Sequence, residues 1–238
     1  MTNLSVNVNK VALLRNSRAL DIPNVVHAAQ LCVRAGAHGI TVHPRPDERH
    51  IRRTDVFDLA KVLTVEFNIE GYPDERYMEI VGQVRPAQAT LVPDSPDQKT
   101  SDHGWDLARD GAFVAPIVAK FKAQGIRVSL FVDPVVAHVE RAAAIGADRV
   151  ELYTEPYASA FARGDYQAAL EAYVAAGQRA ASLGMEVNAG HDLNLLNLRT
   201  FCAAVGCVAE VSIGHALIAD ALEMGLEKTV RAYLRQLS

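Results

Sequence analysis

Histidines and carboxylates in this chain stand where apolar runs end. In Gly39-Ile-Thr-Val-His-Pro-Arg-Pro-Asp-Glu-Arg-His50 a β-branched run gives way to two histidines, two arginines and two acids. Gly-Ile-Thr-Val reads as a buried strand, and Pro44 and Pro46 forbid its continuation. Glu70 closes Phe67-Asn-Ile-Glu70, and Glu151 sits inside Val150-Glu-Leu-Tyr153. Burying a carboxylate alone is expensive, so each is either a salt-bridged core acid or a working group. Histidine is the side chain best matched to proton transfer near neutral pH. His43 and His191 each stand directly after a strand-like run, although either could be a loop histidine bonded to backbone. Two histidines and two glutamates at strand ends together point to acid/base chemistry in several steps. His-x-Arg and Asn-Ala-Gly-His lack the close ligand pairing of common zinc motifs, so no metal is expected.

The same ends are rich in groups for anions. Ile213-Gly-His-Ala216 precedes an apolar helical run over residues 217–224, which offers backbone N–H groups at a helix N-terminus. A glycine needed only for tight packing is the alternative there. Cationic donors come from Lys10, Arg15, Arg18, Arg45, Arg49 and His50, more positive charge than a neutral substrate needs. Phosphorylated substrates fit. Arg52 and Arg53 begin a helix-like stretch and read as a solvated face.

The elements that must hold these groups repeat one unit. A helix tail, a glycine and a strand recur in Ala35-Gly-Ala-His-Gly-Ile-Thr-Val42, Gln124-Gly-Ile-Arg-Val-Ser-Leu-Phe131, Ile145-Gly-Ala-Asp-Arg-Val-Glu-Leu152 and Leu183-Gly-Met-Glu-Val-Asn188. Each glycine suits a helix C-terminus, where the chain leaves in a left-handed conformation, and each apolar run suits a strand covered on both faces. Adding residues 4–8, 67–69, 89–91 and 211–213 gives eight candidate strands. Helical periodicity lies between them, as over residues 25–35 and 113–123. Eight strands predict a closed (β/α)8 TIM barrel formed as one domain over residues 1–238. An open doubly wound sheet would carry a glycine-rich turn after its first strand, and Val6-Asn-Val-Asn-Lys10 has none. In a barrel the site lies at the C-terminal strand ends. These ends carry Asn7 and Asn9, His43 and Arg45, Glu70, Asp133, Glu151, Asn188 with His191, and Gly214-His215, with Thr100 in the long connection over residues 93–104.

Composition narrows the partners. The 238 residues are 50% hydrophobic and 22% charged, enough for one sizeable core. A net charge of −4 supplies no basic field for nucleic acid and no polybasic patch for a membrane. Cys32, Cys202 and Cys207 have no ligand or redox spacing, and each lies in an apolar helical context, as structural thiols do in a reducing compartment. No leader-like N-terminus and no run of about 18 apolar residues is present. A cytoplasmic location is expected.

With these residues in view, the chain resembles the pyridoxine 5'-phosphate synthase family, barrel enzymes that close the pyridine ring of vitamin B6. The resemblance runs through Val6-Asn-Val-Asn, Leu14-Arg-Asn-Ser-Arg18, the Gly39 to His50 motif, Phe67-Asn-Ile-Glu70, Leu91-Val-Pro93, Val128-Ser-Leu-Phe131, Val187-Asn-Ala-Gly-His191 and Ile213-Gly-His-Ala216, essentially the whole chain. It implies condensation of 3-amino-2-oxopropyl phosphate with 1-deoxy-D-xylulose 5-phosphate, giving pyridoxine 5'-phosphate, inorganic phosphate and water, with no cofactor. It implies that His43 and Glu70 accept protons, His191 donates one and Glu151 stabilises the transition state. Asn7, Arg18, Gly214 and His215 correspond to contacts with the aminooxopropyl phosphate, and Arg45, His50 and Thr100 to contacts with the pentulose phosphate. It also implies a homo-oligomer, an octamer, in which Arg18 acts across an interface.

Three places depart from the commonest family pattern. Asn9-Lys10 stands where that pattern has Asp-His, so Asn9 would bond a hydroxyl and Lys10 hold a phosphate as a point charge. Asp192 stands where glycine is usual, a substrate-binding position at which a carboxylate must point away from phosphate. Tyr153-Thr-Glu-Pro-Tyr157 replaces His-Thr-Gly after the sixth strand. Two other readings remain open. A phosphosugar aldolase on the same barrel would need a Schiff-base lysine, but Lys61, Lys99, Lys120 and Lys122 fall in helices or loops. A binding protein without activity would explain the Asn9-Lys10 change but not the retained Glu70, His43 and His191.

Overall fold

Side chains alternate along the strands of this protein, apolar on one face and polar on the other, and the two faces have different neighbours. The computed structural model describes residues 2–18, 20–94, 98 and 100–238. Its first half runs β1 (Asn3–Asn7), α1 (Asn9–Asn16), α2 (Val25–Arg34), β2 (Gly39–Val42), α3 (Arg53–Val62), β3 (Glu66–Gly71), α4 (Glu75–Val84), β4 (Gln88–Leu91) and α5 (Leu107–Ala123). The second half runs β5 (Arg127–Val132), α6 (Val136–Ile145), β6 (Arg149–Leu152), α7 (Glu155–Arg163), α8 (Gln167–Ser182), β7 (Glu186–Ala189), α9 (Leu198–Val205), β8 (Val208–Ile213), α10 (His215–Met224) and α11 (Leu226–Leu237). The strands are parallel, each pairs with the next, and β8 pairs with β1, which closes the (β/α)8 barrel expected from the sequence.

Local chemistry explains the punctuation. Asn24 caps α2 by accepting from the His27 N–H at 2.8 Å, and Asp74 caps α4 by accepting from the Tyr77 N–H at 2.7 Å. The glycines of the repeated unit, Gly36, Gly125, Gly146 and Gly184, have φ of +109°, +76°, +90° and +77°. At Gly146 the N–H then bonds the Ala143 carbonyl, ending α6 one turn before β6 begins.

The apolar strand face packs outward on the helices: Leu4, Val6, Ile40, Val42, Ile69, Leu130, Val150, Val187, Val211 and Ile213 are all fully buried. The inner face carries more polar side chains than apolar runs covered on both faces lead one to expect. Ser5 bonds Thr41 at 2.7 Å, Thr90 bonds Asn68 at 3.0 Å, Arg149 bonds Gln88 at 3.0 Å, and Asn188 reaches Gln88 at 3.4 Å. The barrel is thus threaded by a polar network in place of apolar layers. Side chains two residues further along each strand point the same way, so this network forms the floor of whatever lies above it.

Two expectations need correction. The strand placed over residues 4–8 ends at Asn7, and Asn9 opens α1 instead of extending the strand end. Cys207 lies in the connection between α9 and β8, outside any helix. Of the connection over residues 93–104, Ser95, Pro96, Asp97 and Lys99 lie outside the described residues. No helix among the described residues is long and apolar enough to cross a membrane.

Candidate active site

Going two residues beyond the polar floor reaches the site. Asn7 follows Ser5, His43 follows Thr41, Glu70 follows Asn68, Phe131 follows Ser129, Glu151 follows Arg149 and Gly214 follows Ser212, and all of these upper residues line one cavity at the C-terminal mouth. The period of two along a strand places them there. Asn9, Lys10, Arg45, Arg49, His50, Thr100, His191 and His215 complete the wall from the loops and from the first turns of α1 and α10.

The proton affinities of the groups in this cavity have been driven apart. Burial lowers His43 well below the ordinary histidine value, and the positive fields of Arg45, His50, His191 and Arg49 add to it. His43 is therefore a neutral imidazole across the physiological range. Burial raises Glu70 to about 7, with Asp94 pushing the same way and the His191 and Arg45 cations pulling back. Burial raises Glu151 well above the usual carboxylate range, and the neighbouring Glu70 and Glu210 carboxylates reinforce the shift. Its Oε2 has no hydrogen-bond partner among the described residues, and both facts favour the neutral acid. His191 moves in the opposite direction from His43. Burial pulls it down, but the hydrogen bond and charge of Asp192, with Glu70 and Asp94, outweigh that and leave it raised. One cavity thus presents a neutral base, a carboxyl poised at neutrality and an imidazole that holds its proton more tightly than usual, a division of labour that proton-transfer chemistry needs.

Short contacts set the geometry. Asn7 Nδ2 donates to Glu70 Oε2 at 3.4 Å, and Asn7 Oδ1 accepts from the Asn9 N–H at 3.0 Å. Asn9 Oδ1 in turn accepts from the His43 N–H at 2.9 Å, so this amide braces the histidine's backbone. Gly190 leads into His191 with φ +145°, and any Cβ there would collide with the Ser212 backbone; only glycine lets β7 approach β8 this closely. The side chain of Asn7 likewise abuts Gly214, where an added Cβ would stand 3.1 Å from it.

The cationic residues divide into two groups. Lys10, Arg45, Arg49 and His50 line the cavity. Arg45 is buried and paired with Asp94, and its Nη1 donates to the Gln98 carbonyl at 3.0 Å. Arg15 does not reach the cavity. It lies fully buried against Asp55, with Nη2 also donating to the His50 carbonyl at 3.1 Å, and the adjacent Asn16 Nδ2 donates to that same carbonyl at 2.8 Å. The Arg15-Asn16 pair therefore braces the loop that carries His50. Arg18 is exposed beyond the end of α1 and does not line the cavity. Asp192 is not a lining residue either; its carboxylate is turned onto His191 Nδ1. Asp133 accepts from the Gly104 N–H at 3.3 Å, and Asn188 belongs to the barrel floor. Arg53 opens α3 and pairs with Glu79 on the surface.

Sequence reasoning passed over Asp94, Ser101 and Ser212. Ser101 Oγ donates to Asp94 Oδ2 at 2.7 Å, which joins Ser101 to Arg45 through their shared carboxylate. Nothing in the local sequence of Pro93-Asp94 marks that pairing. For Ser212 a signal existed, since it shares strand parity with Glu210 and with the polar residues of every neighbouring strand. No strand among the described residues carries a lysine, and no group of three or more His, Cys, Asp or Glu among them is arranged to hold a metal ion.

Fold and site together define a (β/α)8-barrel enzyme whose strand-end cavity gathers ionisable groups of differently tuned proton affinity. The chain belongs to the pyridoxine 5'-phosphate synthase family, enzymes of vitamin B6 biosynthesis: the family described as "Pyridoxal phosphate biosynthesis protein PdxJ" matches residues 4–238. Pyridoxine 5'-phosphate synthase of Porphyromonas gingivalis is 57% identical over 238 residues, covering 100% of both chains. That of Xanthomonas campestris pv. campestris is 56% identical over 243 residues, covering 98% of this chain and 95% of its own. Phosphoribosylanthranilate isomerase from Thermotoga maritima is similar in fold, with a TM-score of 0.60 at 15% identity over 99% of this chain and 98% of its own.

Proposed function

We propose that this chain condenses 3-amino-2-oxopropyl phosphate with 1-deoxy-D-xylulose 5-phosphate to pyridoxine 5'-phosphate, releasing inorganic phosphate and water. The observation that carries the assignment of roles is the spread of proton affinities within one cavity. Forming an imine from the amine and the ketone requires a proton delivered to the departing hydroxyl, and His191 is the group that holds one. Enamine formation and ring closure require protons taken from carbon. His43 is neutral and able to accept at once, and Glu70 changes its charge close to neutral pH. The pentulose phosphate leaves with its C–O bonding electrons. Glu151, kept protonated, supports charge that develops on substrate oxygens without adding a fixed negative charge beside two phosphates.

The two phosphates are assigned to opposite sides of the mouth. The N-terminus of α10, with Gly214 and His215, faces Asn7 and suits the aminooxopropyl phosphate. Lys10, Arg45, His50 and Thr100 suit the pentulose phosphate. Holding both reactants in register is worth more than any single acid/base group. Arg18, exposed at the end of α1, is assigned to the aminooxopropyl phosphate of a neighbouring copy in a homo-oligomer, an octamer by family resemblance. The Asn9 and Lys10 departures change contacts to the pentulose and leave the chemistry intact.

The test is release of inorganic phosphate from mixtures of the two substrates. Wild type should release it only when both are present. Glu70→Gln should slow release by roughly 100-fold or more, the usual contribution of a positioned acid/base group. Equal release from 1-deoxy-D-xylulose 5-phosphate alone would overturn the condensation.

A further inference from the structure

Asp192 takes part in a relay whose every contact is on the protein. Its Oδ2 lies 3.0 Å from Nδ1 of His191. A carboxylate has only acceptors to offer, so Nδ1 is the donor, and the exchangeable proton of the imidazole is the one on Nε2. Nε2 lies 3.1 Å from Thr100 Oγ1, and both Thr100 and His191 line the cavity. Asp192 is itself held in place. Its N–H donates to Oγ1 of Thr154, which is fully buried, and the Leu193 N–H closes the turn onto the Gly190 carbonyl at 2.9 Å. Thr154 stands at the start of α7 after β6, so the turn that carries Asp192 is tied to the neighbouring strand end.

We propose that Asp192 is a positioning residue for proton transfer: it commits Nδ1 of His191, fixes the ring, and so directs a proton-bearing Nε2 into the cavity. This rests on the reading of His191 as the proton donor. The carboxylate is not, on this account, a substrate contact, which removes the conflict of an acid beside a phosphate. A glycine at this position has no side chain to commit Nδ1, and His191 would then depend on the remaining groups.

Those groups are few. Glu70 and Asp94 face His191 with negative charge and favour its protonated form, while burial opposes it. His43 lines the same cavity, lowered by burial first and then by the positive fields of Arg45, His50, His191 and Arg49. On the far side Asp192 acts on Tyr153, where burial first and then the Asp192 charge push the phenol up to about 12. Asp192 is the one acid among these that touches His191 directly, so its removal should lower the imidazole's proton affinity more than loss of any distant charge.

The experiment uses the full-length chain with Asp192→Asn, which keeps the shape of the side chain and removes its charge. The His191 ring is followed by NMR titration and turnover is followed against pH. The His191 midpoint should move down by on the order of one pH unit, the effect of one hydrogen-bonded opposite charge. The alkaline limb of kcat should move down with it, so that kcat above neutrality falls about tenfold, while KM changes much less. Asp192→Gly should do the same, which guards against a fault peculiar to the asparagine, and Asp192→Glu should recover part of the loss. An unmoved His191 midpoint in folded Asp192→Asn, whether or not activity falls, would overturn the proposal. Failure of the underlying reading looks different: His191→Asn would then retain its alkaline limb and its rate.

Discussion

The guanidinium of Arg15 grips the carboxylate of Asp55 through two nitrogens, at 2.5 and 2.9 Å, in a site where the arginine side chain is only 2% exposed. The pair ties α1 to α3, and Asp55 also caps α3 by accepting from the Arg52 N–H at 2.8 Å. Arg15→Ala would leave a buried carboxylate without its cation, at a cost of about 3–5 kcal/mol. The urea midpoint should drop accordingly. The joint replacement Arg15→Met with Asp55→Leu should lose much less, since it leaves no orphan charge. A small loss in the single variant would show the pair to be dispensable.

Acid loss of activity should follow Glu70. Its proton is held to about 7, so the base form is lost as pH falls through that value, and kcat/KM should rise tenfold per pH unit below it. His43, lowered by burial, stays neutral throughout and contributes no limb there. The pH profile of Glu70→Gln should lack this limb. A wild-type profile flat from pH 6 to 8 would contradict the assignment.

Glu151 should trade stability for function. Its carboxyl is raised in the folded state, whereas in the unfolded chain it ionises near about 4.3. Above that pH the unfolded state releases a proton that the folded state keeps, so stability falls as pH rises towards the folded value. Glu151→Gln removes this penalty. The variant should melt higher than wild type at pH 8, by about 2–4 °C for each kcal/mol relieved, and the advantage should vanish at pH 4. Its turnover should be lower at both.

Lys10 should act as a phosphate ligand and nothing more. It lines the cavity from the first turn of α1. Lys10→Met should raise KM for the pentulose phosphate by roughly tenfold, the worth of one charge-assisted contact, and reduce the salt dependence of kcat/KM. An unchanged KM would place the phosphate elsewhere.

The barrel was legible because four of its eight strand runs follow a glycine that ends a helix, a local signal repeated in Gly36, Gly125, Gly146 and Gly184. His43, Glu70, Glu151 and His191 were legible because a charged or ionisable residue at the end of an apolar run has few structural excuses. The polar floor was harder. Ser5, Thr41, Asn68, Ser129 and Asn188 are small or neutral and scarcely interrupt the apolar pattern of strands only four to six residues long. Arg15 and Arg18 look alike in sequence, yet one is buried against Asp55 and the other exposed. Only the helix phase relative to α3 separates them. Asp192 was assigned to substrate because its position suggested it; that its carboxylate turns back onto its neighbour depends on the Thr154 contact across from another strand end.

The most direct test of the central claim is mass spectrometry of the product formed from freshly generated 3-amino-2-oxopropyl phosphate and 1-deoxy-D-xylulose 5-phosphate, with Glu70→Gln run beside wild type. Pyridoxine 5'-phosphate should appear with wild type and be reduced by about two orders of magnitude or more in the variant. Absence of that product from folded wild type, or equal yields from both proteins, would contradict the account.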